Sequence, residues 1–246
     1  MIRIEPRESP SRRLTIGIPV ASALLALLLA AIPLSFAGAN IGEAYQQMAK
    51  GIFGSLFAFT EMLTRATPLI FTGLAATLAF RAKLWNIGAE GQLYLGAMAA
   101  VAVGTGWLDG PPILLIPVIL VAGALAGALG MAGPAYLKTR FGADEVVTTL
   151  LLNFIILIFI QMMLEGPLKD PMGMGWPQSS PVVDNALLPQ ILPRMRLHYG
   201  LVIALVAAVV AHIMLSKSVW GLKLRAVGEN ASAALHAGIG VKRTLM

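Results

Sequence analysis

The chain has 246 residues, of which 57% are hydrophobic and only 12% are charged, and its mean hydropathy is +0.79. Soluble domains are about 25% charged, so this chain has too few charges to cover a water-exposed surface and is predicted to be a membrane protein. The absence of cysteine excludes disulfides and thiolate nucleophiles, and the net charge of +6 comes from short clusters between apolar runs, which argues against a nucleic-acid partner.

Six apolar stretches approach the roughly 20 residues that a helix needs to cross a bilayer. The predicted fold class is therefore all-α, a polytopic helical membrane protein with about six transmembrane helices. The second stretch is short, and Gly88 and Gly91 follow it, which predicts a bent or re-entrant segment near 81–92. The predicted spans are 14–36, 66–80, 87–107, 112–137, 146–164 and 197–216.

The distribution of basic residues predicts the orientation. If residues 1–13 form a cytoplasmic head, the segments on the cytoplasmic side hold most of the 18 Lys and Arg, as the positive-inside rule requires. Residues 14–216 are then the transmembrane domain and 217–246 a cytoplasmic segment. Two outer segments remain, 37–65 and 165–196.

The two outer segments have different patterns. In the first, Met48, Ile52, Leu56 and Phe59 recur at helical spacing, which predicts an interfacial helix within 41–63. The second is too rich in proline to form a regular helix, so an irregular loop is expected there.

Three polar residues stand where the third predicted span begins, namely Asn86, Glu90 and Gln92. One interpretation is a helix start, with Asn86 as the N-cap and Glu90 in the first turn, paired with Arg81 or Lys83. The other is a polar feature beside a solute path, because polar groups are costly in lipid and turn towards partners or water. We expect Asn86 and Glu90 to start the span, with the flanking glycines letting it bend beside that path.

The fifth predicted span has its own polar face. Thr149 and Asn153 lie four residues apart, with Gln161 nearby on the helix surface, and Asp144 and Glu145 form an acidic helix start. The face either lines a solute path or ties two helices together by hydrogen bonds. The candidate substrate-path residues are thus Asn86, Glu90, Gln92, Thr149 and Asn153.

The fourth predicted span carries small residues every four positions, at Gly123, Gly127 and neighbours, which favours close helix packing within one subunit or between subunits. Catalytic signatures are missing: there is no phosphate-binding loop, and His198, His212 and His236 are far apart in the sequence. We therefore expect neither a metal site nor enzyme activity.

The last segment is too polar to span a membrane but contains a short helical signal. Asn230 is a suitable N-cap, residues 231–237 favour helix, and Gly238 is a suitable stop. Such a helix has little core of its own, so a soluble partner is expected to cover it.

Four strings carry a resemblance to a known family, and they agree with it in order and spacing. The chain resembles the membrane subunits of ATP-binding-cassette (ABC) importers for simple sugars and nucleosides, which are related to the ribose and branched-chain amino-acid permeases. The strings are F-R-A-K-L-W-N-I-G-A-E-G-Q (80–92), F-G-A-D-E-V-V-T-T-L-L-L-N-F (141–154), G-P-L-K-D-P (166–171) and W-G-L-K-L-R-A-V-G-E-N-A-S-A-A-L-H-A-G-I (220–239).

The resemblance implies a permease subunit in the inner (plasma) membrane, moving a nucleoside or simple sugar. It implies three protein partners: an ATPase subunit, a second permease subunit and an extracytoplasmic solute-binding protein. No cofactor is expected to bind directly, since ATP acts through the ATPase. Carried over by position, the ATPase-coupling residues are Arg225, Gly228, Glu229, Asn230, Ala233 and Gly238.

Members of this family continue beyond the coupling segment with further hydrophobic spans, so we expect this chain to be the amino-terminal portion of a permease. Two alternatives from other classes stay open. One is an ion-coupled secondary carrier for a small polar solute, whose uptake would depend on an ion gradient. The other is a permease fragment that does not transport.

Overall fold

The computed structural model describes residues 11–106, 108 and 110–245, without the side chains of residues 12, 13 and 15. Residues 1–10 of the predicted head, Trp107 at the end of the third predicted span and Met246 lie outside this range. Two compact units divide the chain, the first ending at Met62 and the second beginning at Leu63.

Regular structure in the described residues is helical, apart from two isolated β-bridges, which confirms the all-α fold class. A short 3-10 helix, Asp184–Ala186, lies in the proline-rich outer segment 165–196. The α-helices are α1 (Arg12–Phe36), α2 (Ile41–Phe53), α3 (Leu56–Arg81), α4 (Ala89–Gly104), α5 (Pro112–Phe141), α6 (Glu145–Glu165), α7 (Gly200–Lys217), α8 (Val219–Glu229), α9 (Ala231–His236) and α10 (Val241–Leu245).

Five of the described helices, α1, α3, α5, α6 and α7, are long and apolar enough to cross a membrane. The sequence predicts six. The difference is α4, which has only 16 residues because the chain before it, residues 82–88, is not helical. A helix rises 1.5 Å per residue, so α4 covers about 24 Å, less than the hydrocarbon core of a bilayer.

The prediction of a short second span after one interfacial helix is wrong in its boundaries. Helix α2 ends at Phe53, and α3 starts at Leu56 and runs for 26 residues. Ser55 begins α3, since its hydroxyl accepts a hydrogen bond from the Ala58 N–H at 3.0 Å. Charged residues at positions 61 and 65 interrupt the apolar run, which made a continuous membrane-length helix look short.

Helices α4 and α5 pack through small residues. A Cβ added at Gly96 of α4 would lie 2.9 Å from the carbonyl oxygen of Gly123 in α5, and one added at Gly127 would lie 3.3 Å from that of Gln92. The two backbones are therefore in direct contact, which side chains larger than hydrogen would prevent. Packing within one subunit is thus the role that the structure gives to Gly123 and Gly127 of α5.

This contact predicts the effect of two substitutions in the same helix. Gly123→Leu puts a side chain into the α4 backbone and is expected to lower the free energy of unfolding by about 1–3 kcal/mol. Gly133→Leu is the matched control, because a Cβ there meets nothing within 4 Å. Thermal unfolding of both purified variants in detergent checks this, and equal melting temperatures would contradict the packing described.

Candidate functional site

Side chains of α6 hold the irregular segment that precedes α4 and the first turn of α4 itself. The Ile87 N–H donates to the Thr149 hydroxyl at 3.1 Å, and the Gly91 N–H donates to Asn153 Oδ1 at 2.6 Å. The Trp85 N–H makes a longer contact, 3.5 Å, with Glu145 Oε1. Backbone groups away from water need such partners, because leaving one unsatisfied costs several kcal/mol in lipid.

The acceptors on α6 share one helix face. Glu145, Thr149 and Asn153 follow each other every four residues, and all three are buried. Thr149 is 1% exposed, and its hydroxyl also donates to the Glu145 carbonyl at 2.6 Å, so its donor and an acceptor position are both in use. We call these three residues the α6 ladder.

Two glycines let the segment approach the ladder this closely. A Cβ added at Gly88 would lie 2.8 Å from the Thr149 carbonyl oxygen, and one added at Gly91 would lie 2.8 Å from Asn153 Oδ1. Both distances are too short for a real side chain. The sequence predicts that these glycines let the chain bend, whereas the structure gives them a role in close contact.

The predicted N-cap at Asn86 is wrong by two residues. Gly88 occupies the cap position of α4 and provides no side-chain hydrogen bond. Asn86 instead accepts from the Gly88 N–H at 2.9 Å, and its amide pairs with that of Gln92 through bonds of 2.9 Å and 3.2 Å. The paired amides therefore link the irregular segment to the first turn of α4.

Glu90 lies in the first turn of α4 as predicted, but its side chain is exposed. Within the described residues it forms no ion pair with Arg81 or Lys83, so that predicted pairing is wrong. The ion pair on this side of the molecule joins Lys138 to Glu145. This ion pair connects the end of α5 to the ladder. The four-residue spacing of Glu145, Thr149 and Asn153 is the sequence signal that could have revealed the ladder.

The acidic start of α6 is confirmed, since Asp144 accepts hydrogen bonds from the N–H groups of Val146 and Val147 at 2.8 Å and 3.2 Å. Gln161 does not extend the ladder, because its amide is exposed and bonds to Glu165. Of the five candidate path residues, the structure thus brings four together, all except Glu90, and gives them hydrogen-bond partners within the chain. This arrangement matches the helix-tying interpretation of the polar face.

Helix α8, which sequence reasoning missed, fixes the predicted coupling segment to two spans. An added Cβ at Gly228 would overlap the carbonyl oxygen of Arg81, at the end of α3, and one at Gly221 would overlap that of Met214 in α7. Arg225 also donates to the Leu215 carbonyl at 2.5 Å. Contacts at Gly221, Gly228 and Arg225 thus hold α8 against the ends of α3 and α7.

The short helix α9 follows, with the predicted cap and stop. Asn230 Oδ1 accepts from the Ala233 N–H at 3.0 Å, and Gly238 has a φ of +80°, which favours glycine. Ala234 is buried, while Glu229 and Leu235 are exposed. Of the six predicted coupling residues, Arg225 and Gly228 face the protein and the other four are exposed.

Among the described residues no three His, Cys, Asp or Glu side chains cluster as a metal site would require. The apolar helices and the buried polar ladder between them define a multi-pass helical membrane protein. Its family is shown by sequence comparison: residues 58–246 match the family described as branched-chain amino acid transport system / permease component. The chain belongs to that family.

Three relatives of the chain are named as ABC transporter permease proteins. The guanosine ABC transporter permease protein NupP of Bacillus subtilis is 37% identical over 93% of this chain and 66% of its own length. The glucose ABC transporter permease protein TsgB13 of Haloferax volcanii is 34% identical (97% and 65%), and the nucleoside ABC transporter permease protein NupB of Lactococcus lactis is 30% identical (93% and 65%). The chain thus spans just under two thirds of the length of these relatives. No solved structure matches it.

The ladder predicts a matched pair of substitutions in α6. Asn153→Leu leaves the buried Gly91 N–H without an acceptor and is expected to lower the free energy of unfolding by about 1–3 kcal/mol. Gln161→Leu, eight residues later and exposed, is expected to change it little. Thermal unfolding in detergent measures both. If both variants have the same melting temperature as the unmodified protein, Asn153 does not support the segment.

Proposed function

We propose that the chain is the membrane permease subunit of an ABC importer, moving a nucleoside or simple sugar inward with ATP hydrolysed by a separate ATPase subunit. The relatives support the solute class, since their names cite guanosine, nucleosides and glucose. The observation that carries the proposal is the exposed helix α9, which follows a helix in backbone contact with the ends of α3 and α7.

In this proposal the six coupling residues divide into two groups. Arg225 and Gly228 transmit motion, because they join α8 to the backbones of α7 and α3. Glu229, Asn230, Ala233 and Gly238 face the ATPase, because they are exposed around α9. A displacement of α9 by the ATPase would tilt both spans and change the side from which the solute path opens.

The solute path in this proposal runs beside the α6 ladder. Non-helical backbone at membrane depth is tolerated where protein covers it or where it lines a cavity, and the segment before α4 has the ladder on one side. Asn86, Gln92, Thr149 and Asn153 would position this segment at the edge of the path. Glu90, which is exposed, is the member of the set that could meet solute or water directly.

The same geometry supports an orientation of the chain in the membrane. Helix α8 touches the carboxyl-terminal ends of α3 and α7, which are therefore on one side of the membrane, together with Arg81, Lys217 and Lys223. This concentration of positive charge supports a cytoplasmic location for that side in the inner membrane. The four arginines of residues 1–13 support, by the same rule, a cytoplasmic amino terminus. A second permease subunit and an extracytoplasmic solute-binding protein would complete the importer, and ATP would bind only to the ATPase.

Leu235 provides the test, because it is 62% exposed on α9. Leu235→Asp in the full-length gene product, assembled with its ATPase and binding protein, is expected to reduce solute-stimulated ATP hydrolysis and uptake at least about tenfold, since an apolar docking contact becomes charged. Leu235→Met is the control, because it keeps an apolar side chain of similar volume at the same position and is expected to leave both rates little changed. Both rates are measured in proteoliposomes.

Two results would contradict the proposal. Uptake that continues without ATP and stops when an ion gradient is collapsed would identify a secondary carrier. Membrane insertion without uptake by the unmodified assembly would identify a polypeptide that does not transport.

A further inference from the structure

A cleft of about 310 Å³ lies between α3 and α7, where both helices end. This is at the lower end of the roughly 300–1,000 Å³ typical of ligand pockets. Its walls are one face of each helix, with residues at spacings of three and four positions: Leu74, Leu78 and Arg81 on α3, and Ala208 and His212 on α7. The cleft is therefore part of the packed structure of the second unit.

The two ends of the cleft differ in chemistry. Deeper along the helices the lining is apolar, as at Leu74 and Ala208, whereas the end next to α8 has three basic side chains, Arg81, His212 and Arg225. No carboxylate occurs in the described lining. The hydroxyls of Thr77 and Ser216 bond back to carbonyls of their own helices, so the basic groups supply the available donors.

These basic groups have unused donors. Arg225 donates to the Leu215 carbonyl at 2.5 Å, which occupies one of its five N–H groups. The Arg81 guanidinium and the His212 ring have no hydrogen-bond or ion-pair partner among the residues that the structure describes, and both are exposed. An anion here would meet donors from three helices.

We propose that this cleft binds the anionic phosphate headgroup of a bilayer lipid. Helices α3 and α7 are both long and apolar enough to span the membrane, so a cleft between their ends opens at the membrane surface, where headgroups lie. With the phosphate at the basic end, the apolar wall at Leu74 and Ala208 lies along the spans in the direction in which an acyl chain would extend. Basic pockets between spanning helices bind anionic headgroups in this way.

The lipid would also join elements that the proposed importer must move together, because Arg81 belongs to α3, His212 to α7 and Arg225 to α8. This consequence rests on the proposed function. The binding itself does not, so it can be measured without an ATPase.

The experiment measures binding of fluorescent phosphatidylglycerol to the purified full-length protein in phosphatidylcholine nanodiscs. Arg81→Gln is expected to weaken binding about tenfold, the size of one charge-assisted hydrogen bond. Arg140→Gln is the control, because it removes the same charge from the end of α5, outside the cleft, and it should leave binding unchanged. His212→Gln removes a second basic group of the cleft and is also expected to weaken binding. Circular dichroism of each variant shows whether it keeps its helical fold.

Three outcomes would overturn the proposal that the cleft binds a lipid headgroup. Equal weakening by Arg81→Gln and Arg140→Gln would show general charge attraction and no site. Arg81-dependent binding of inorganic phosphate that displaces the lipid would show a free-anion site. Unchanged binding in both Arg81→Gln and His212→Gln would show that the cleft holds no headgroup.

Discussion

The satisfaction of backbone hydrogen bonds next to a membrane-spanning helix is the constraint on which the rest of this structure depends. Between α3 and α4 the chain leaves the helical conformation. Thr149 of α6 accepts from the Ile87 N–H in this stretch, and Asn153 accepts from the Gly91 N–H in the first turn of α4. Both acceptors are buried, so they take the place of solvent as partners of these N–H groups. The position of α4, and hence of α5 packed against it, follows from these bonds.

A second constraint acts where the spans end. Helix α8 contacts two spans through glycine, at Gly221 and Gly228, where hydrogen is the largest side chain that fits. Buried Leu224 packs with Ala82 and Leu84 from the irregular segment before α4. The two constraints therefore meet in one stretch of chain: residues 82–84 contact α8, and residues 85–91 bond to α6.

Patterns within one helix were predictable from the sequence. The cap and stop of α9, the acidic start of α6 and the glycine face of α5 are local signals, and the structure confirms each of them. Contacts between distant segments were not predictable, because residue types alone do not name their partners. Asn153 was read as a helix-tying or path-lining residue, yet its partner, the N–H of Gly91, is a backbone group 62 positions away.

The boundary predicted for the second span was wrong because charged residues lie within a helix. The predicted span begins after Arg65, whereas α3 begins at Leu56 and includes Arg65. Helix α8 was missed because charged residues and glycines interrupt its apolar residues, and its contacts depend on glycines that carry no hydrophobic signal.

The contact between Gly91 and Asn153 also has a genetic consequence. Any larger residue at position 91 collides with the Asn153 side chain, and any residue at 153 without an acceptor abandons the Gly91 amide. A substitution at either position alone therefore disturbs the other, although 62 residues separate the two along the chain.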